Sequence, residues 1–196
     1  MPSMNHEKLR RATVGIAGLG GLGSNVAAAL ARTGIGRLII ADSDIVEKDN
    51  LNRQHYFIDQ VGRKKTDAMA ENLQRINPAV EIRRHYIRLT ADNILTVFAG
   101  ADVIAECFDK AESKQMLVET VLSRMERTEV VSVSGLAGYG DSNAIKTQYV
   151  SKRLVLVGDQ KTGIDTQPIL TAARVGIAAC HQANAIVEFL LSGNVI

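Results

Sequence analysis

One segment limits what this chain can fold into more than any other: Gly18-Leu19-Gly20-Gly21-Leu22-Gly23-Ser24, set between an apolar β-branched run and an Ala-rich stretch. Residues 13–17 read as a short buried strand, and residues 24–33 as a helix that closes at Gly34. A strand that turns through glycines straight into a helix opens a crossover unit, the connection from which parallel sheets are built. The spacing G-x-G-x-x-G adds chemistry. Its glycines permit a tight turn, let the backbone approach a phosphate and let helix pack closely on strand, while the helix amino terminus offers free N–H groups to an anion.

The alternation continues. Residues 37–41, 81–86, 103–106 and 129–134 are further strand-like runs, and residues 64–77 and 112–124 carry apolar side chains at helical spacing. Past Ser134, glycines at 135, 138 and 140 mark a loop, then residues 145–149 and 154–157 read as two strands of a hairpin. Residues 172–191 form a long Ala-rich helix, apolar on much of its circumference. The expected fold class is therefore α/β: a doubly wound, mostly parallel, Rossmann-like sheet extended by an antiparallel hairpin. With 196 residues, a single nucleotide-binding domain over 1–196 is expected.

Composition removes several classes of partner. Twenty-three Lys and Arg against 21 Asp and Glu leave a net charge of +2, too little to collect nucleic acid or an acidic membrane by field alone. Four Tyr, four Phe and no Trp make a poor platform for stacking bases. Apolar runs such as residues 26–31 stop far short of the roughly 20 residues of a membrane span, and residues 1–11 lack the apolar stretch of a signal peptide. A cytoplasmic location is expected. Cys107 and Cys180 cannot build a disulfide framework, and no C-x-x-C occurs, so no zinc is expected either. Both are read as small buried apolar residues in a reducing compartment. His6, His55, His85 and His181 show no metal spacing.

The candidate site lies at the strand ends around the glycine turn, where open sheets of this kind bind ligands. Asp42 closes the second strand at a distance suited to a ribose hydroxyl, roughly 20 residues after the glycines. This much serves a nicotinamide dinucleotide as well as ATP. Arg53, in the polar stretch after Asp42, and Lys65, at the start of the next helix, are two cations aimed at the cleft, and they suit a triphosphate better. Asp109, just past the fourth strand, is a candidate magnesium ligand, since that ion is commonly held by one or two carboxylates plus phosphates. Taken singly, Lys65 is also readable as a solvated helix face, Arg53 as a surface ion pair and Asp109 as a helix cap.

Together GLGGLGS, DSDIVEKDNLNRQ, VGRKK and ECFDK resemble the ThiF/MoeB/HesA family of ubiquitin-activating-enzyme-like adenylyltransferases, over residues 9–191. The N-L-x-R-Q element carries more of the likeness than the glycines, and the opening VGIAGLGGLGSNVA is most similar to a compact ThiF branch tied to thiamine biosynthesis. The resemblance implies ATP with magnesium, and adenylylation of the C-terminal Gly-Gly carboxylate of a ubiquitin-like sulfur carrier protein, with release of pyrophosphate. It assigns Gly18, Gly20, Gly21 and Gly23 to the nucleotide, Asp42 to the ribose, Asn50, Arg53 and Lys65 to the phosphates and Asp109 to the metal, with Gln54 part of the same motif. Arg53, Lys65 and Asp109 would be the catalytic set, and a homodimer is implied. The chain departs from longer members in lacking two C-x-x-C pairs, any cysteine between Phe108 and Ala179, and an arginine-bearing amino-terminal arm, of which Arg10 and Arg11 are the only counterparts. Two other functions share parts of the pattern: an NAD-dependent oxidoreductase, and a non-catalytic carrier-binding module that holds ATP.

Overall fold

The computed structural model describes residues 4–193, so the first three and last three residues of the expected 1–196 unit lie outside it. Seven strands form one sheet: β1 (Thr13–Ala17), β2 (Arg37–Asp42), β3 (Glu81–Tyr86), β4 (Val103–Glu106), β5 (Glu129–Val133), β6 (Lys146–Ser151) and β7 (Leu154–Gly158). Their order is β3-β2-β1-β4-β5-β7-β6. Every neighbouring pair is parallel except the β6–β7 hairpin, as the alternation of strands and helices predicts. The central strands read as near-continuous Val, Ile and Ala because parallel strands are covered on both faces. All of β1 and β4 is buried, whereas edge strand β3, with Glu81, Arg83 and Arg84, is mostly exposed.

Helices α1 (Met4–Arg11), α2 (Gly21–Thr33), α3 (Lys65–Ile76), α4 (Ile94–Val97), α5 (Ala111–Arg124) and α6 (Ala172–Ser192) cover the two faces. On one face Val14, Ile16, Leu38 and Ile40 pack under residues of α2, α3 and α6, including Val26, Leu30, Leu73, Ala178 and Ile186. On the other, Ile39 and Ile104 meet Ile94, Phe98, Leu117 and Val121. Each such buried side chain contributes on the order of 1.5 to 3 kcal/mol relative to leaving it in water.

Three readings of the sequence change. Helix α2 begins at Gly21 rather than Ser24, because the Ser24 N–H already bonds to the Gly20 carbonyl and closes the first helical turn inside the glycine motif. Helix α6, at 21 residues and mean hydropathy 1.3, is long and apolar enough by length and composition to cross a membrane, which the short apolar runs had not suggested. Here it lies along the sheet, and its buried Gln182 donates Nε2 to the carbonyls of Glu106 and Val131. Cys107 is buried as expected, but Cys180 is exposed. It follows Ala178 and Ala179, which face the core, and a further 100° of helical rotation carries it out to solvent.

Candidate functional site

The turn between β1 and α2 is held by its neighbours in the sheet. Asp42, the last residue of β2, accepts the Leu19 N–H on Oδ2 at 2.6 Å and the Asp44 N–H on Oδ1 at 2.7 Å. Tyr56 donates its hydroxyl to the Leu19 carbonyl at 2.9 Å. Burial first, then the charges of Asp42 and Asp44, push the Tyr56 phenol well above its ordinary range, so it stays a proton donor to that carbonyl. Asp42 is only 9% exposed and shapes the turn before it holds anything else, although a carboxylate has further lone pairs.

The four glycines divide into two kinds. Gly18 sits at φ +93° with its missing Cβ facing the Cys107 carbonyl oxygen at 3.1 Å, and a Cβ on Gly23 would stand 1.8 Å from the Gly18 carbonyl oxygen. Both are buried within the turn. They close it on itself and on the loop after β4, so packing alone already requires glycine at both positions. Gly20 and Gly21 are the partly open pair. No side chain caps α2 at its Gly20 end, which leaves its first backbone N–H groups available to an anion.

The segment from β2 to α3 folds over this turn. Ser24 donates its hydroxyl to the Gly20 carbonyl and accepts the His55 N–H, while Asn25 donates Nδ2 to the carbonyls of Gly21 and Arg53. Arg53 thereby lies across Gly21, its Cγ 3.6 Å from where a Cβ on that glycine would stand. Its guanidinium donates to Oδ1 of Asn52 and Oδ1 of Asn50, each at 2.9 Å, and Asn50 in turn donates to Glu47. Asn50, expected on a phosphate, thus orients Arg53. Gln54 is buried, its Nε2 is 4.0 Å from the Cβ position of Gly20, and its Oε1 has no hydrogen-bond partner among the described residues. Burial foremost, and the Arg32 charge, lower the pKa of His55.

Lys65 opens α3 with its side chain 6% exposed and Nζ 2.9 Å from Oδ2 of Asp44, whose own side chain is 65% exposed. Asp44 was not singled out in the sequence, although a D-x-D pair at a strand end is a visible signal. Asp109 is exposed in the loop between β4 and α5, and its carboxylate accepts no hydrogen bond among the described residues. The N-cap of α5 is Lys110, with no side-chain cap bond, so the reading of Asp109 as a helix cap is not realised. Among the described residues no three His, Cys, Asp or Glu side chains converge to hold a metal. One free carboxylate suits an ion that takes its other ligands from phosphates and water.

Beyond the turn, Val175 of α6 packs against Gly21, its Cγ1 3.2 Å from that glycine's Cβ position. The neighbouring Arg174 borders a cavity of about 470 Å³ that Tyr139, Lys146, Asp159 and Lys161 also line. The first turn of α6 therefore separates this cavity from the glycine turn.

The ThiF family model matches residues 1–195. The chain is 38% identical over 125 residues to ubiquitin-like modifier-activating enzyme 5 of Drosophila pseudoobscura pseudoobscura, a match over 58% of this chain and 32% of that protein. It is 41% identical over 134 residues to the adenylyltransferase and sulfurtransferase UBA4 of Eremothecium gossypii, covering 68% of this chain and 30% of that one. The chain spans about a third of the length of these relatives. Among solved structures, E. coli tRNA N6-threonylcarbamoyladenosine dehydratase, TcdA, in complex with AMP superposes with a TM-score of 0.87 at 22% identity, over 97% of this chain and 90% of that one. E. coli MccB with ATP does so with a TM-score of 0.73 at 25% identity, over 96% and 58%. The TcdA likeness supports the fold.

Proposed function

Because this chain belongs to the ThiF family, we propose that it activates a carboxylate by adenylyl transfer from ATP, the acceptor being the C-terminal Gly-Gly carboxylate of a ubiquitin-like sulfur carrier protein of the thiamine-biosynthesis type. The observation that supports this reading is Arg53 lying across Gly21 at an uncapped helix amino terminus, with Lys65 held by Asp44 just past the same strand end and Asp109 in the loop after β4. A nicotinamide dinucleotide would need the glycine turn and Asp42; it gives no use to two cations and a free acid.

In the reaction an acceptor carboxylate oxygen attacks the α-phosphorus, the bond to the bridging oxygen breaks, and pyrophosphate leaves with that electron pair. The acceptor is already ionised at neutral pH, so no general base is needed. What remains is to bring one anion against several others, which is alignment and charge neutralisation. The N–H groups at Gly20 and Gly21 cradle phosphate oxygens. Arg53, braced by Asn50 and Asn52, and Lys65, braced by Asp44, face the charge that collects on the departing pyrophosphate. A magnesium ion on Asp109 would add neutralising charge at the phosphates. Asp42 holds the turn and offers its remaining lone pairs to the ribose. The same reading takes the protein as a cytoplasmic homodimer.

ATP–pyrophosphate exchange with a panel of Gly-Gly-ended carriers tests the reading, together with calorimetry of ATP against NAD. We expect exchange with one carrier and tighter binding of ATP. Asp109→Ala should lower exchange by about 10²- to 10³-fold, as loss of one preorganised charged group does, with the melting temperature unchanged. Tighter binding of NAD, or full exchange by the Asp109→Ala chain, defeats it.

A further inference from the structure

Strand β4 ends in a charge for which the adenylylation reading has no use. Glu106 is fully buried. Its Oε1 accepts the Phe108 N–H at 2.7 Å and Lys114 Nζ at 3.1 Å, and its Oε2 accepts the Ser132 hydroxyl at 2.6 Å and the same Nζ at 3.1 Å. Its backbone carbonyl accepts Gln182 Nε2 at 2.9 Å. Elements β4, β5, α5 and α6 all meet at this one residue.

Stability is a weak reason for such a group. Burying an ion pair sacrifices hydration, and apolar residues of similar volume in its place are often neutral or stabilising. What an apolar residue cannot do is accept the N–H of Phe108. That bond turns the chain at the end of the strand, and Lys114, on the first turn of α5, ties the far side of the loop to the same carboxylate. Residues 107–110 are thus fixed at both ends. The loop abuts the glycine turn, since the Cys107 carbonyl oxygen lies 3.1 Å from the Cβ position of Gly18. Asp109 stands in the middle of it, exposed and with no hydrogen bond among the described residues, so the frame fixes where its carboxylate is rooted.

We propose that Glu106, paired with Lys114, is a positioning residue that aims Asp109 at the divalent cation of a bound metal–nucleotide complex. This rests on the nucleotide reading above. The test is calorimetric titration of ATP into the full chain, first in EDTA and then across a range of magnesium concentrations, with melting temperature measured beside it. Three variants divide the possibilities. The Glu106→Met, Lys114→Met double variant replaces the pair with apolar groups of similar length, Glu106→Asp keeps the charge but withdraws the acceptor from Phe108, and Glu106→Gln keeps an acceptor at that place.

The expected result is a magnesium midpoint raised by about tenfold or more in the double variant and in Glu106→Asp, the usual effect of losing a group that orients a metal ligand. Affinity for ATP in EDTA should stay at the parental value in both, because the glycine turn, Arg53 and Lys65 are untouched. Glu106→Gln should hold the parental midpoint. A folded double variant with the parental midpoint overturns the proposal, and if that variant does not fold, a parental midpoint in Glu106→Asp does so. A parent chain that binds ATP with no dependence on magnesium overturns this inference alone. One that binds no ATP overturns the nucleotide reading as well.

Discussion

Replacing Arg174 with Met should destabilise the protein by about 3 kcal/mol at neutral pH, and by less in acid. Arg174 Nη2 donates to Oδ2 of Asp159 at 2.7 Å, with side chains only 5% and 9% exposed. Its Nη1 donates to the carbonyls of Gly140 and Asp141 at 2.6 and 3.2 Å. Burial by itself would raise the Asp159 carboxyl, but bonds from the Thr162 hydroxyl and N–H, the Lys161 N–H and Arg174 bring it from its ordinary 3.8 down to about 2. A carboxyl depressed that far adds on the order of 2.5 kcal/mol of stability, at about 1.4 kcal/mol per tenfold change in proton affinity. Because the folded value is the lower one, this stability is fully present above the unfolded value near 3.8 and is lost as pH falls through about 2. Arg174 supplies part of it, and its two carbonyl bonds contribute about 1 kcal/mol each. Met preserves the apolar stem, so the loss reports the guanidinium. Urea unfolding of parent and variant, followed by circular dichroism at pH 7 and pH 3, measures the gap at each pH. By pH 3 about 1 kcal/mol of the Asp159 contribution has gone in the parent, so the gap should narrow by several tenths to about 1 kcal/mol. A variant as stable as the parent, or a gap that does not change with pH, would refute the ion pair as described.

Gly23→Ala should unfold the chain or leave it insoluble, because the new methyl would stand 1.8 Å from a carbonyl oxygen of the turn; a soluble variant with the parental melting curve would show that the turn has room. Cys180 should react with a maleimide in the native state, while Cys107, buried and with its thiol pushed up first by that burial, reacts only on unfolding; mass spectrometry of the labelled peptides checks both. A dimer mass by light scattering is expected at micromolar concentration, and a monomer mass would remove the homodimer from the reading.

Much of the fold was legible because the chain's strongest signals are local. Val14, Ile16, Ile39, Ile40 and Ile104 lie in runs with no polar interruption, which only a doubly covered sheet accommodates, and the turn that follows β1 is written in glycines. Arg53 and Lys65 read as cleft residues from their place in the polar stretch after β2 and at the start of the next helix. What escaped were side chains whose partners lie far along the sequence. The Glu106 carboxylate meets Ser132 and the Asp159 carboxylate meets Arg174, and although the apolar run at 103–106 signals a buried strand, no local pattern names either partner. Cys180 failed differently. A helix rich in Ala and Ile nearly all round does not reveal which stripe faces inward, and that choice is made by the sheet beneath it. Helix α1 went unread because it buries only Leu9 and carries no apolar period.

The contact between Val175 and Gly21 also bears on how the chain is made. A ribosome releases β1 and the glycine turn first, and α6 only after more than a hundred further residues, so the turn waits through their synthesis without the helix that backs it. Contacts separated this far along a chain close slowly, because a long loop must be ordered before they form. Until α6 arrives, the cover that α2 and α3 give Val14 and Ile16 is incomplete, and Gln182 has not yet reached the carbonyls of β4 and β5. The nucleotide competence proposed above is therefore acquired only once α6 has emerged and completed the cover of the sheet.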